Sequence, residues 1–248
     1  MERVFIVDVS RYQRPELLDY ALMRAGGVRM VIAKSSQGAY SKDPCFDEHI
    51  RRARLAGLDA GAYHWVDPVY SAEANLANFE RSIAGVPLEA LALDHEQYWA
   101  DWAEWRLAIQ GKGKITKILP AGVISACGER MARAISKGDF GRSYRLLNYT
   151  RQSFVRSWAR PMVKWLKEYD LWPAHYPYSR AKVETTWEEL AGRWFPRVKP
   201  LLPDGCKDWR IWQISGDKFI LPGSARKVID VNVFNGDAAK YTAWVGGN

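Results

Sequence analysis

Arg3-Val4-Phe5-Ile6-Val7-Asp8-Val9, a helix-patterned segment from Leu17 to Arg24, and Val28-Arg29-Met30-Val31-Ile32-Ala33-Lys34 make up the stretch whose reading decides the fold. Two apolar runs of strand length flank a segment that Pro15 opens and Gly26-Gly27 closes. A strand, a helix and a second strand in this order form a crossover unit, which argues for a parallel sheet covered by helices. The alternation continues outward. Asp43-Pro44 reads as an N-cap and first helical residue, with Phe46, Ile50 and Ala53 at helical spacing before Gly57. Ala60 to Trp65 reads as a third strand, and Ser71 caps a helix whose Leu76, Phe79 and Ile83 form one stripe before Gly85. A fourth strand, Leu88-Glu89-Ala90-Leu91-Ala92-Leu93, runs into Asp94-His95-Glu96.

Further on the pattern loosens. A tryptophan-rich segment from Tyr98 to Trp105 precedes a helix expected from about Ala126 to Lys137. Strands follow at Ser143 to Thr150, Leu171 to Tyr176, Trp209 to Ser215 and Val228 to Phe234, with a helix at Ser153 to Glu168 and a weak one near Trp187 to Ala191. Eight strands with few helices in the last third predict an irregular or flattened (β/α)8-like (TIM-type) barrel. No internal repeat or linker divides the 248 residues, so residues 1–248 are expected to form a single domain with no second module attached. Pro173 sits awkwardly in its strand, because proline has no N–H to give to the ladder.

Composition excludes several classes. Hydrophobic residues at 48% and charged residues at 26% are globular values, and no apolar run approaches the roughly 20 residues of a membrane span. The first residues lack a basic, apolar and small-residue leader pattern, so no secretory signal is expected. Cys45, Cys127 and Cys206 are odd in number and widely spaced, and His49, His64, His95 and His175 match no metal motif. Buried thiols and the absence of any metal or organic cofactor follow as expectations. A net charge of +8 favours polyanions, but the basic residues are scattered and accompany no nucleic-acid-binding motif. Twelve tryptophans could pack a core or cover the apolar faces of sugar rings.

Acids mark the candidate site. Residues i and i+2 of a strand share a face about 6.6 Å apart, so Asp94 and Glu96 aim at one spot. Asp8 and Asp230 lie on the first and last strands, neighbours in a closed barrel, and barrel chemistry gathers at the C-terminal strand ends. Carboxylates turned into a barrel mouth are costly unless used or paired, and Lys34 is the available structural partner. Clustered acids push their pKa values apart, which leaves one protonated beside ionised neighbours, as glycosidic cleavage requires. Tyr63, Trp65, Tyr149, Trp172, Tyr176 and Trp212 reach the same rim as candidate sugar platforms, though any one of them taken alone fits a core better.

These pieces resemble the Chalaropsis-type lysozymes of glycoside hydrolase family 25. The resemblance rests on Asp8-Val9-Ser10-Arg11-Tyr12-Gln13, Val31 to Gly38, Gly61-Ala62-Tyr63-His64-Trp65, Leu93-Asp94-His95-Glu96, Asn148-Tyr149-Thr150, Leu171 to Tyr176, Trp212-Gln213-Ile214-Ser215 and Val228 to Gly236. It implies an N-acetylmuramidase that cuts the β-1,4 bond between N-acetylmuramic acid and N-acetylglucosamine of bacterial peptidoglycan with retention. Carried over by position, Glu96 is the general acid/base, and Asp94 is the nucleophile or the residue that orients the substrate's N-acetyl group. Asp8 and Asp230 match further active-site acids, while Lys34, Tyr63, Trp65, Tyr149, Trp172, Tyr176, Trp212 and Gln213 are the expected substrate-binding residues. Gln37 departs from the family's usual Glu, and Arg14 stands where a small or acidic residue is common.

The resemblance further implies a phage endolysin-like or virion-carried enzyme, made in the cytoplasm and acting on the cell wall, with anionic wall polymers as possible partners. No membrane or nucleic-acid partner is expected, and a monomer is favoured. A catalytically silent glycan-binding barrel or a virion structural component is the competing reading.

Overall fold

A computed structural model of the chain describes residues 3–138, 140, 144–177, 199–216, 218–225 and 227–247. Nine strands form one sheet: β1 (Phe5–Val9), β2 (Val28–Gln37), β3 (Ser41–Lys42), β4 (Asp59–Trp65), β5 (Ala90–Asp94), β6 (Arg145–Thr150), β7 (Asp170–Pro173), β8 (Ile211–Ser215) and β9 (Asp230–Phe234). Their order is β7-β6-β5-β4-β2-β1-β9-β8, with β3 folded back on β2 as a short hairpin. The two edges nearly meet. Ala174 bridges Gln213 and the His175 N–H donates to Gln213 O at 3.2 Å, so eight strands make an almost closed barrel.

The seam has a local cause. Ala174 donates its N–H to Thr150 O on β6, so the nitrogen of Pro173, one residue earlier, faces β8 and has no hydrogen to offer. The awkward proline lies where the ladder is broken. The irregularity of the last third is also explained. Between β8 and β9 the chain makes an Ile220–Val228 bridge with no crossover helix among the described residues, so β9 runs antiparallel to both neighbours.

Alternation along the strands sorts the side chains into two layers. Val4, Ile6, Met30, Ile32, Ala92, Leu147 and Trp172 fill the barrel, whereas Phe5, Val7, Val31, Leu91 and Leu93 face the helices. Helix α1 (Tyr20–Ala25), α2 (Phe46–Leu55), α3 (Ala72–Ile83), α4 (Trp102–Ile109), α5 (Ala121–Ser136) and α6 (Gln152–Trp158) precede α7 (Ala238–Gly246). The sequence reading missed α7. Asp237 caps it by accepting from Lys240 N, and its Tyr241 and Trp244 pack on Phe234 to plug the end of the barrel opposite Asp8. Tyr241 donates to Asp59 Oδ2 at 2.6 Å across that plug.

Several expected boundaries shift. The first helix begins after Asp19, which caps Leu22 N, and Pro15–Leu17 is a separate 3-10 turn. Helix α2 starts at Phe46 because Asp43 accepts from Cys45 N and closes a turn instead of a helix. The expected helix from Ser153 to Glu168 is broken after Trp158 by Pro161 into two 3-10 turns, and α5 begins five residues before its expected start at Ala126. The weak helix near Trp187 to Ala191 and the start of the Ser143 strand lie outside the described residues.

Helix α5 meets the sheet through a glycine. A Cβ on Gly128 would come within 2.8 Å of the His95 ring and 3.2 Å of Trp165, and that ring is fixed by a 2.9 Å hydrogen bond to Asn148. Gly128→Ala is therefore expected to destabilise the fold by about 1–3 kcal/mol despite alanine's better helix propensity. Denaturant titration should show a lower midpoint with an unchanged slope, and a rise in midpoint would contradict the tight contact.

Candidate active site

The mouth of the barrel is built by strand ends. Asp8 pairs with Asp230 across β1 and β9, so both carboxylates arrive at one rim. Asp230 gets there from the opposite direction to that expected. It lies at the start of β9, and only because that strand is antiparallel does its N-terminal end face the mouth. Asp94 ends β5, and Glu96 follows in extended chain held by His95 N donating to Tyr149 O at 2.9 Å. The i, i+2 relation holds: both acids line one cavity of about 280 Å³ with Asp8, Asp230, Lys34, Tyr63, Trp65, Tyr149, Trp172, Tyr176 and Gln213. His95 turns away into the helical layer, where its ring packs against Trp165.

Trp212 is the exception among the expected sugar-binding residues. It is 2% exposed in the layer beneath the helices, donating its indole N–H to His175 O at 2.8 Å. Gln213, the next residue on the strand, points inward, so Trp212 must point outward. Trp172 lines the cavity but is equally buried, and forms its floor.

Burial dominates the electrostatics. Asp94 is 5% exposed, and its burial together with the charge of Glu96 holds its pKa well above the usual carboxylate range. Its Oδ1 has no hydrogen-bond partner among the described residues. Burial also raises Glu96, with Arg151 and Lys34 opposing the shift. Each acid of the pair therefore keeps its proton to higher pH than an exposed carboxylate does. Burial lowers Lys34, with Asp94 the foremost opposing charge. Its ammonium donates to Gln37 Oε1 at 2.8 Å and lies 4.9 Å over the Trp65 ring. The departure at Gln37 thus places a neutral acceptor on the cavity's lysine.

Asp8 is held from below. Its Oδ2 accepts from Asn232 Nδ2 at 2.8 Å and from Gln213 Nε2 at 3.0 Å, yet burial outweighs both and pushes its pKa up to about 6. Gln213 Oε1 in turn accepts from Tyr149 at 2.8 Å and Tyr176 at 2.6 Å, and Asn232 Oδ1 accepts from Trp172 at 2.7 Å. Gln213 is thus engaged inside the protein and orients three side chains of the wall. Trp65 is set by its indole N–H on Gln97 Oε1 at 3.0 Å, and Gln97 donates to the buried Asp67 at 2.7 Å.

The raised pKa has a consequence for stability. An acid whose folded pKa of about 6 exceeds its ordinary 3.8 contributes stability below pH 3.8 that is lost as pH rises through 6. Asp8→Asn keeps an oxygen for the same two donors and has no charge to bury. The variant is expected to be more stable than wild type by on the order of 2–3 kcal/mol at about pH 7, with the gap closing near pH 4. Unfolding curves at both pH values decide it, and a gap independent of pH would contradict the assignment.

The expected list omitted Ser10, Tyr12 and Gln13, which also line the cavity, and the supporting Asn232, Gln97 and Asp67. Asn232 was within reach of the alternation rule, being two residues from Asp230. Gly216 was not: a Cβ there would fall 2.5 Å from Asp230 Oδ1 and 3.0 Å from the Tyr176 hydroxyl, a closeness no local pattern reveals.

The family model for glycosyl hydrolases family 25 matches residues 7–223. An uncharacterized protein of Escherichia coli K12, YegX, is 26% identical over 246 residues, covering 97% of this chain and 73% of that protein. Among solved structures, a bacterial lysozyme from Streptomyces coelicolor superposes with a TM-score of 0.70 at 21% identity, covering 98% and 97% of the two chains. A muramidase from Trichobolus zukalii gives 0.69 at 24% identity, covering 99% and 100%.

Proposed function

The chain belongs to the glycosyl hydrolases family 25 and is a glycoside hydrolase, and from that premise we propose that it cleaves bacterial peptidoglycan as an N-acetylmuramidase, with retention at the anomeric carbon. The observation that carries the reading is the pair Asp94 and Glu96, two raised carboxylates in one sugar-sized cavity, the first with a buried oxygen left without a donor.

Glu96 borders both this cavity and a second one lined by Arg151, Gln152 and His175, so it stands where a glycosidic oxygen would cross from one to the other. It protonates that oxygen as the bond to the leaving sugar breaks, then takes a proton from the incoming water. The sugar whose anomeric carbon reacts occupies the cavity of Asp8, Asp94 and Asp230. Asp94 faces the developing positive charge, either bonding to the carbon or receiving the N–H of the 2-acetamido group while its carbonyl attacks. Both routes return the original configuration. Asp8 and Asp230 add negative charge beneath the sugar ring, and Tyr63 and Trp65 form its walls. The silent-barrel reading is not favoured, since all four acids converge on the cavity.

Purified cell walls provide the test. Digestion is expected to release fragments with N-acetylmuramic acid at the new reducing end, initially in the β configuration. N-acetylglucosamine ends would make the protein a glucosaminidase, and α-anomers would overturn retention. The +8 charge favours association with anionic walls, a steering that salt screens over about 10 Å at 0.1 M.

A further inference from the structure

We propose that the exposed pair Tyr40 and Tyr70 forms a distal sugar-binding subsite, taking an N-acetylhexosamine of the same glycan beyond the one held over Asp94. The inference rests on the reading of the cavity as a glycan-cleaving site.

Contacts run unbroken from the cavity to this pair. Lys34, in the cavity wall, donates to Gln37 Oε1, and Gln37 Nε2 donates to the Tyr40 hydroxyl at 3.4 Å. The Tyr40 and Tyr70 rings lie 5.4 Å apart at 54°, and they are 53% and 41% exposed. Two adjacent exposed rings thus stand just beyond the cavity wall at Lys34, joined to it through Gln37. They lie on the Trp65 side, whereas the second cavity beside Glu96 lies on the β6 and β7 side. Because Glu96 serves the bond between glycone and leaving group, the tyrosine pair extends the glycone side.

The backbone that carries the pair is pinned although the rings are exposed. Asn78, buried on α3, donates to Gly38 O at 2.8 Å and Ser41 O at 3.1 Å, pinning both sides of the hairpin that carries Tyr40. Gly38 has φ of +53°, and a Cβ there would meet the Tyr40 ring at 2.9 Å, so the glycine lets the ring lie flat against the turn. Tyr70 is fixed by its N–H on Asp67 O at 3.1 Å, and Asp67 also anchors Gln97 behind Trp65. A backbone fixed before the ligand arrives lowers the ordering cost of binding it. An exposed aromatic pair one side chain away from a sugar-sized cavity offers flat apolar area for the C–H face of a pyranose.

The test measures binding to Glu96→Gln protein by calorimetry, using a peptide-free tetrasaccharide and octasaccharide from a bacterial wall. The octasaccharide is expected to bind more tightly than the tetrasaccharide. Tyr40→Ala with Tyr70→Ala should remove that advantage, a loss of roughly tenfold, and leave tetrasaccharide affinity and the melting temperature unchanged. Phe at both positions keeps the rings and should keep the advantage. An octasaccharide advantage that survives both alanines, or that never exists, overturns the subsite. If wild-type protein hydrolyses neither glycan while the length effect behaves as expected, the catalytic reading fails and the subsite stands.

Discussion

Glu96→Gln is expected to lower the rate of wall hydrolysis at least about a hundredfold, the scale of general acid and base catalysis. The amide is nearly the same size and can still donate a hydrogen bond to the glycosidic oxygen, but it cannot give up a proton. Substrate affinity should therefore change little while kcat collapses. Turbidity loss of purified walls and reducing-end release measure it, with equal rates in the two proteins contradicting the assignment. The pH profile adds a signature. Burial raises Glu96 above the ordinary carboxylate range, so its protonated form persists to higher pH than an exposed glutamate's. The alkaline limb of wild-type activity should reflect that loss of the proton. For leaving groups that need no protonation, such as an activated aryl glycoside, the variant should lose far less.

Asp94→Asn is expected to cost about a hundred- to a thousandfold, the range seen when a group aimed at developing charge is neutralised. Asp94 Oδ1 is buried with no donor among the described residues, so its desolvation is a cost to the fold that a substrate group or a cationic transition state would offset. Asparagine removes the charge and aims either an oxygen or an NH₂ at the same spot. Two added compounds separate the possible roles. If the carboxylate bonds to carbon, azide should restore turnover in the variant and yield the α-glycosyl azide. If it receives the acetamido N–H, a thiazoline analogue of the cyclised intermediate should inhibit wild type and lose most of its affinity for the variant. An unimpaired Asp94→Asn protein would remove Asp94 from the chemistry altogether.

Much of this was legible because strand periodicity is local. Val4, Ile6 and Asp8 alternate with Phe5 and Val7, so the inward placement of Asp8 follows from its own neighbours. The same rule placed Asp94 with Glu96 and sent His95 outward. It also forbade Trp212 and Gln213 from sharing a face, a conflict that a motif carried over whole does not reveal. What stayed hidden depends on partners far along the chain. The direction of β9 is set by its pairings with β1 and β8, and the plug formed by α7 rests on Asp59, which accepts from Tyr241 across the barrel. Gly216 is needed only because Asp230 and Tyr176 arrive beside it. Two helix starts moved because an aspartate closes a turn at Asp43 and caps the helix later than expected at Asp19.

The hydrogen bonds beneath Asp8 have a consequence for the life of the chain during synthesis. Asp8 depends on Gln213 and Asn232, 205 and 224 positions later, and Arg145 reaches forward to the carbonyls of Trp244 and Gly247. Contacts of such separation close late, since loop entropy is spent before they return anything. Until the ribosome has added β8 and β9, the opening strand has its acid but not both amides that hold it. A copy stopped short of them therefore carries its acids without the network that seats them.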